Sequence, residues 1–309
     1  MASKGRTPFD VCTVGADATT LMRHGSSVGS SANLALVANR KIAAGERIYM
    51  DHALISLTRD KSLSLDAQVS TALNTLSSPS FSKKSSLFWS LSPSSNVSMP
   101  DSPRRKGVSI FKKHGLVCAD STLAVFYLSS VIRHSCAPNV VIHDMSVDVV
   151  VAHAVREIPE GTELSRARIP LNMCYHRRQH NYVAKYSTHC SCWHCIKCDK
   201  NPRYLHKDDE YRESIGSMAA KLEANSAPWS QAEILTGLNL VTVLELGYGD
   251  PQYDGFCDVN LLKTTHMRLC KFLLHHKEMQ GAFKHLRHVA GYSALLTGAT
   301  SEQTRRYYK

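Results

Sequence analysis

The sequence predicts an α+β protein with strands in its first half and helices in its last third. Short apolar runs separated by turn signals occupy residues 34–56 and 140–164, and helical spacing of apolar residues begins at about Asp208. A third observation is the crowding of four of the ten cysteines into residues 190–198. This density is typical of a metal site and not of a disulfide framework.

Length and charge bound the function without defining it. The 309 residues suffice for one large domain or two ordinary ones. With 37 basic and 26 acidic residues the net charge is +11, which favours nucleic acid, chromatin or a small anionic ligand as partner. The basic residues are scattered apart from a short group at 104–106. The indication for a nucleic-acid face is therefore weak.

The first ten residues and the hydropathy pattern indicate an intracellular protein. Residues 1–10 lack the apolar segment of a signal peptide, and no apolar run reaches the roughly 20 residues that span a bilayer. Clustered cysteines fit a reduced compartment. We therefore expect a nuclear or cytoplasmic location and no membrane partner.

The first third of the chain predicts two strands joined by a turn, followed by an insertion. Residues 1–31 are small and polar, and we expect them to be loosely held. Residues 34–56 indicate two strands joined by a turn at 43–46. Serine and proline then dominate residues 57–106, where helices are predicted over 66–76 and 82–91 and flexible linker elsewhere. On this interpretation the basic group at 104–106 is a solvated loop or a localisation signal.

The middle of the chain alternates between a short helix and strands. Apolar residues at helical spacing predict a helix over 121–133. Residues 140–142 and 147–154 alternate as two strands, and 156–164 indicates a turn that leads into another.

The last third of the sequence is predicted to be helical. Helices are expected at 211–224, 230–248 and 260–280, with 281–296 and 301–308 as further candidates. Such a bundle is also a candidate surface for a protein partner. His275, His276, His285 and His288 fall on these helices, and we interpret them as surface or packing residues and not as a metal site.

Four segments of the chain carry a family resemblance. They are residues 37–46, Arg133-His134-Ser135-Cys136-Ala137-Pro138-Asn139, residues 154–164, and Cys190-Ser191-Cys192-Trp193-His194-Cys195. In order and spacing they resemble the SET domain, most of whose members are protein-lysine methyltransferases, and are most similar to the SET-and-MYND subgroup. The MYND finger of that subgroup is absent, because residues 57–106 contain no cysteine.

The resemblance implies a fold and an organisation. The fold consists of short, curved sheets around a knot-like crossing, with S-adenosylmethionine on one side of a channel and the target lysine on the other. The predicted organisation is a loose segment over 1–31, a SET-like domain over 32–180 with the insertion, a zinc segment over 181–203 and a helical region over 204–309.

The cysteine segment predicts one structural zinc ion. Cys190, Cys192 and Cys195 have the spacing of a tight zinc knuckle, which closes with one further ligand. The resemblance implies Cys136 as the fourth ligand. Cys198 is the alternative, with His189 or His194 behind it.

Three positions depart from the family pattern. Asn33-Leu34-Ala35 replaces the glycine-rich cofactor loop, so that side chains of Asn33 and Ala35 would crowd the cofactor. Arg133 replaces a cofactor-binding asparagine next to His134, which the family also places at the cofactor. Arg168 aligns with the catalytic tyrosine. These changes predict that S-adenosylmethionine binds poorly or not at all.

Arg168 determines the function that we expect. A guanidinium is a permanent cation with donors only, and it would repel a sulfonium cofactor and an ammonium substrate. With Arg133, His134, Tyr175 and the retained Tyr186 it would line a cationic cleft. The leading hypothesis is a SET-fold protein that no longer transfers methyl groups and uses this cleft to bind an anionic or carbonyl-bearing small molecule, or to catalyse a non-redox step such as cyclisation.

Two alternatives stay open. One is a divergent S-adenosylmethionine-dependent protein-lysine N-methyltransferase, with Tyr175 or Tyr186 in the tyrosine's role. The other is a basic chromatin or scaffold adaptor that uses the helical C-terminus.

Overall fold

The structure is a computed structural model. The residues that it describes are 9–14, 21–23, 34–58, 60, 62–76, 81–93, 102–118, 122–146, 148–223, 229–249 and 258–297. Their strands are β1 (Phe9–Val14), β2 (Leu21–Arg23), β3 (Leu34–Ala38), β4 (Arg47–Thr58), β5 (Leu116–Val117), β6 (Thr122–Phe126), β7 (Arg133–His134), β8 (Val140–Ser146), β9 (Val149–Ala154) and β10 (Ser165–Arg166). Their helices are α1 (Leu65–Leu76), α2 (Ser82–Ser90), α3 (Pro103–His114), α4 (Tyr127–Val131), α5 (Tyr175–Tyr186), α6 (Trp193–Lys200), α7 (Pro202–Glu223), α8 (Gln231–Gly249), α9 (Val259–His275) and α10 (Met279–Thr297). The predicted α+β class, with a helical C-terminal region, is confirmed.

Strand β4 is the centre of the largest sheet. The order of that sheet is β5-β6-β4-β9-β8, and all its pairings are antiparallel. The register of β4 shifts between Arg47 and Tyr49 and between Ala53 and Ile55, as at β-bulges, which bend a strand. The sheet is therefore curved, as expected for the fold class.

A second sheet uses the N-terminal residues. Its order is β2-β1-β3, with β1 antiparallel to both neighbours. The expectation of a loosely held segment over 1–31 is corrected for β1 and β2, because their backbones pair with each other and β1 pairs with β3.

A short parallel pair brings two distant segments together. In it β10 lies beside β7, with Ser165 opposite Arg133 and Arg166 opposite His134. The side chain of Asn139 reinforces the pair, accepting from Ser165 N at 2.8 Å and donating to Glu163 O at 2.8 Å. The segment that begins at Arg133 is thus fixed against residues 163–166.

The insertion is a packed layer of three helices. Buried side chains of α1, α2 and α3, among them Val69, Phe88 and Phe111, pack with Ile55 and Val125 of the large sheet. Two of the helices were predicted from the sequence.

The prediction of a linker up to residue 106 is wrong from Pro103 onward, because α3 begins there. The Ser102 side chain accepts from Arg105 N, and proline occupies the first helical position, which are both helix-start signals. The basic group at 104–106 therefore lies in the first turn of a helix and not in a loop.

The helix predicted over 121–133 is also corrected. Residues 122–126 form β6, and only 127–131 are helical. Three of the five residues of β6 that pair with β4 are fully buried, namely Ala124, Val125 and Phe126. Burial between neighbours on a sheet overrides the local helical spacing.

The C-terminal helices follow the prediction with shifted ends. Helix α7 starts nine residues earlier than expected, at Pro202, and the helix expected over 260–280 is broken. Lys277 has a φ of 61° at the break, between α9 and α10. The candidate helix at 301–308 lies outside the described residues. No helix of the described part of the chain has the length and apolarity to cross a membrane.

Replacing Phe111 with alanine tests whether the insertion is part of the fold. Phe111 is 1% exposed and its ring lies 5.9 Å from that of Phe88. We expect Phe111→Ala to lower the free energy of unfolding by about 3–5 kcal/mol, because it leaves a cavity in the core. Phe81→Ala, at a 39% exposed position before α2, is the control and should change it by about 0.5 kcal/mol or less. Equal chemical-denaturation midpoints for both variants would mean that the insertion does not contribute to the stability of the fold.

Candidate functional site

Four cysteines converge at the end of the β7 segment. The Sγ atoms of Cys136, Cys190, Cys192 and Cys195 all lie within 4.8 Å of one another, and those of Cys136 and Cys195 are 3.6 Å apart. Zinc–thiolate bonds of about 2.3 Å in a tetrahedron place sulfur atoms roughly 3.8 Å apart. Hydrogen bonds from the thiols of Cys190, Cys192 and Cys195 lower the pKa of Cys136. The donor set and its size can hold a zinc ion.

Helix α5 positions the cysteine segment. The side chain of Gln179 makes two hydrogen bonds to the backbone of Cys190, donating to its O at 3.1 Å and accepting from its N at 2.8 Å. Cys136 N in turn donates to Cys192 Sγ at 3.4 Å. The fourth cysteine of the cluster is therefore Cys136, and the alternative candidate Cys198 lies outside it.

Cys198 and His194 belong to a second buried group around Asp208. The Asp208 carboxylate accepts from Arg178 Nη2 at 2.7 Å and from Arg212 Nε at 2.7 Å. Burial raises the pKa of Asp208, but the hydrogen bond from His194 and the charges of Arg212 and Arg178 outweigh it and hold that pKa well below its usual range. The sequence analysis missed this group, because the partners are separated by up to 30 residues and have no motif spacing.

Arg212 links the two groups. Its Nη2 donates to the carbonyl of Cys136 at 2.9 Å, and its Nη1 donates to the carbonyl of Leu171 at 3.1 Å. Helix α7 is thus tied to the segment that carries Cys136, which places the cysteine cluster between the strands and the C-terminal helices.

Arg168 extends toward the end of helix α4. Its Nε donates to Ile132 O at 3.2 Å, and its Nη2 donates to the carbonyls of Ser130, at 2.7 Å, and Ile132. Carbonyls at a helix C-terminus lack intrahelical partners and carry partial negative charge, so a cation is favourable there. Among the described residues no hydrogen bond uses Nη1 of Arg168.

His134 and Tyr186 lie beside Arg168. His134 Nδ1 accepts from Arg168 N at 3.1 Å, and His134 Nε2 lies 3.4 Å from Cys136 Sγ. Both ring nitrogens of His134 therefore have a partner. The Tyr182 ring stacks on His134 and contacts Tyr186, whose ring lies 6.0 Å from the Arg168 guanidinium. His134 therefore connects the cysteine cluster to the backbone at Arg168, as a hydrogen-bonded core histidine does.

Arg166 is a buried arginine close to the half-buried Arg168. Arg166 is 7% exposed, and its Nε has no hydrogen-bond partner among the described residues. Burial, and then the charge of Arg168, lower its pKa to about 9. No motif in the sequence marks Arg166, so that its burial was not expected from the sequence.

Tyr49 and Asp51 of β4 complete the surroundings of the two arginines. The Tyr49 hydroxyl lies 3.3 Å from Ser129 Oγ, and the Asp51 carboxylate accepts from Ser129 N at 3.0 Å. Burial raises the pKa of Asp51 to about 6. The α4 end thus connects Arg168 to a buried carboxyl through Ser129.

A cavity of about 1000 Å³ opens between the insertion and α5, and Arg168 is part of its wall. Five of the residues that line it are basic, namely Arg104, Arg105, Lys112, Arg168 and Lys185. One is acidic, Asp66, which pairs with Lys112 at 3.2 Å. The cavity, which we call the basic cleft, therefore has an excess of positive charge. Three of its cations come from α3, the helix that the sequence analysis missed.

The remaining predicted site residues lie apart from the basic cleft. The Tyr175 hydroxyl donates to Asp199 Oδ1 at 2.6 Å, so that the structure does not bring it to Arg168. Arg133 pairs with Glu163 at 3.5 Å. Ala35 is fully buried within β3, and Asn33 lies outside the described residues.

Comparison with known proteins identifies the domain. A family model of the SET domain matches residues 33–166. The histone-lysine N-methyltransferase SMYD3 of Mus musculus is 28% identical over 106 residues, and that of Homo sapiens is 27% identical over the same length. Each match covers 34% of this chain and 24% of the relative, so that it spans about a quarter of the relatives' length.

Among solved structures, the SET domain of LSMT bound to lysine and AdoHcy aligns with 99% of this chain and 86% of that chain, at 10% identity and a TM-score of 0.32. The resemblance to the SET family that the four sequence segments indicated agrees with the matched family model and with the similarity to SMYD3. Residues 33–166 therefore match the SET domain, and a helical C-terminal region follows them in the chain.

Proposed function

We propose that this SET domain does not transfer methyl groups, and that its basic cleft binds an anionic or carbonyl-bearing small molecule. The observation that carries the proposal is the placement of Arg168. It occupies the position where the family resemblance puts the catalytic tyrosine, and it is fixed by main-chain carbonyls in the wall of a cavity with five basic residues.

Electrostatics argue against methyl transfer at this position. The chemistry requires a sulfonium cofactor and an amine that starts as an ammonium, and both are cations. Two unit charges about 4 Å apart interact with about 4 kcal/mol at the effective dielectric near a protein surface. Arg168 and Arg166 each add a positive charge there, and neither has an acceptor atom that could take a proton. The same charges favour an anion.

The geometry leaves donors for a ligand. The Arg168 guanidinium is held by Nε and Nη2, so that its Nη1 is available to a carboxylate, phosphate or carbonyl oxygen. Fixed donors that face developing negative charge stabilise enolate-like and oxyanion transition states. A non-redox reaction such as cyclisation is the reaction class that this arrangement supports, with Arg168 as the group beside the ligand and the Tyr186 ring 6.0 Å from its guanidinium.

Similarity to SMYD3 favours a second candidate function. A divergent S-adenosylmethionine-dependent protein-lysine N-methyltransferase would use the hydroxyl of Tyr186, which lies beside Arg168, in place of the missing tyrosine. We propose this alternative with lower priority, because it places a cationic substrate against two guanidinium groups.

Binding measurements on the full chain separate the two functions. We expect inorganic pyrophosphate, as a probe anion, to bind in calorimetry with an affinity that falls at higher salt. Arg168→Gln should weaken it roughly 10- to 100-fold, since a hydrogen bond to a charged group contributes about 1.5–3 kcal/mol. Arg203→Gln, an exposed arginine on α7, is the matched control and should have no effect.

The same calorimetric experiment with S-adenosylmethionine tests the methyltransferase alternative. We expect no saturable binding to the wild-type chain, and none to Arg168→Tyr, because Arg166, Arg133 and the residues of β3 are unchanged in that variant. Micromolar binding of S-adenosylmethionine, together with methyl transfer to a mixture of proteins, would overturn the proposal in favour of the methyltransferase.

We also propose that the four-cysteine cluster holds one structural zinc ion. Because structural zinc binding is coupled to folding, Cys192→Ser should remove about one equivalent of zinc and lower the melting temperature. Cys174→Ser, at another half-buried cysteine, is the control and should keep the zinc content and the melting temperature of the wild-type chain. Cobalt substitution gives a second readout, since thiolate ligands produce intense charge-transfer absorption. Elemental analysis of the wild-type chain without zinc, and without cobalt uptake at thiolates, would contradict this prediction.

A further inference from the structure

Outside the SET domain, three C-terminal helices bring a carboxylate and two imidazoles together. Glu245 of α8, His266 of α9 and His288 of α10 offer ligand atoms that all lie within 4.8 Å of one another. Glu245 Oε1 is 3.3 Å from His266 Nε2 and 3.5 Å from His288 Nδ1. We call these three residues the helical triad.

From the helical triad we propose a binding site for a divalent metal ion of the zinc class. A tetrahedral ion with nitrogen and oxygen bonds of about 2.0–2.2 Å holds its ligand atoms roughly 3.3–3.6 Å apart. Both distances from Glu245 Oε1 already fall in this range. Three protein ligands leave one coordination position for water, which is the arrangement of an open metal site.

Neighbouring side chains orient two of the three ligands. His266 Nδ1 lies 2.8 Å from His285 Nδ1, so that a proton on His266 Nδ1 leaves its Nε2 lone pair facing Glu245. The Tyr292 hydroxyl donates to Glu245 Oε1 at 3.0 Å. Hydrogen bonds of this kind fix the tautomer and direction of metal-bound imidazoles and carboxylates.

Charge and access also fit a cation. The side chain of His266 is 2% exposed, and its Nε2 lies 3.3 Å from the carboxylate of Glu245. A carboxylate and imidazole nitrogens are the oxygen and nitrogen ligands that a zinc-class ion takes in proteins. The side chains of Glu245 and His288 are 37% and 38% exposed, which gives an ion a route from solvent.

Binding requires one side chain to turn. The rings of His266 and His288 are stacked, with centroids 4.5 Å apart and planes 7° from parallel. An ion cannot lie in both ring planes at once, so that the half-exposed His288 must rotate while the buried His266 stays in place. Uptake of the ion should therefore separate the stacked rings.

The sequence analysis interpreted His285 and His288 as packing or surface residues. It did not include His266 or Glu245, because the carboxylate precedes the nearest of these histidines by 21 residues and lies on another helix. His285, His288 and Tyr292 do follow a spacing of three and four, which places them on one face of α10.

Zinc stoichiometry of the full chain tests the proposal independently of the cysteine cluster. We expect dialysis against micromolar zinc to load one equivalent beyond the thiolate-bound ion. His288→Ala and the near-isosteric Glu245→Gln should each lose this additional equivalent and keep the thiolate-bound one, whereas Cys192→Ser should do the reverse. His275→Ala, an exposed histidine at the end of α9, is the matched control and should keep both ions.

The orienting role of His285 has its own readout. His285→Phe should keep the stoichiometry but weaken zinc binding at the helical triad roughly 10- to 100-fold, as loss of such orienting hydrogen bonds does elsewhere. Cobalt bound at the triad should show weak visible bands without thiolate charge transfer. The proposal is overturned if the wild-type chain takes up no additional zinc or cobalt, or if His288→Ala and Glu245→Gln bind as much as the wild-type chain.

Discussion

The site depends on one side chain, that of Asn139. Its amide makes hydrogen bonds to Ser165 N and Glu163 O, which fixes β7 and β10 side by side in a single register. This register positions the residues that follow each strand. Cys136, after β7, lies in the cysteine cluster, and Arg168, after β10, lies at the end of α4. A change of one residue in register would turn Arg166 to the opposite face.

Local motifs predicted the parts of the structure that consist of short segments. The cysteine cluster and the two strands over 34–56 were readable from spacing, although these strands join different sheets and do not pair as a hairpin. Arg166, Asp208 and α3 were not, for different reasons. Arg166 has no motif of its own, Asp208 acts through partners far away in the sequence, and α3 follows a serine- and proline-rich stretch that resembles linker. The helical triad was missed for the same reason as the Asp208 group, because only tertiary packing joins its helices.

Two pairs of arginines in this molecule, of which Arg168 is half-buried and the other three are buried, have different surroundings. Arg178 and Arg212 share the carboxylate of Asp208, which compensates their charge directly. Arg168 is held by carbonyl dipoles instead, and Arg166 keeps an Nε without a partner among the described residues. Burying a cation without a counter-charge is costly, and natural proteins tolerate such conflicts mainly at functional sites. Arg168 lines the basic cleft and is held by dipoles and not by a carboxylate, which favours this cleft over the Asp208 group as the place where a ligand binds.

The apolar core around the cysteines also has a consequence for how the chain can be divided. Cys136, Cys190 and Cys195 share this core with Ile215 of α7, Leu244 of α8 and Leu262 of α9. A cut after the cysteine segment would expose this apolar surface on both fragments and remove the contact of Arg212 with Cys136. The C-terminal helices therefore share one hydrophobic core with the cysteine segment and are not a separate domain. Swapping them for the helices of a relative would require the residues around the cysteines to be exchanged with them.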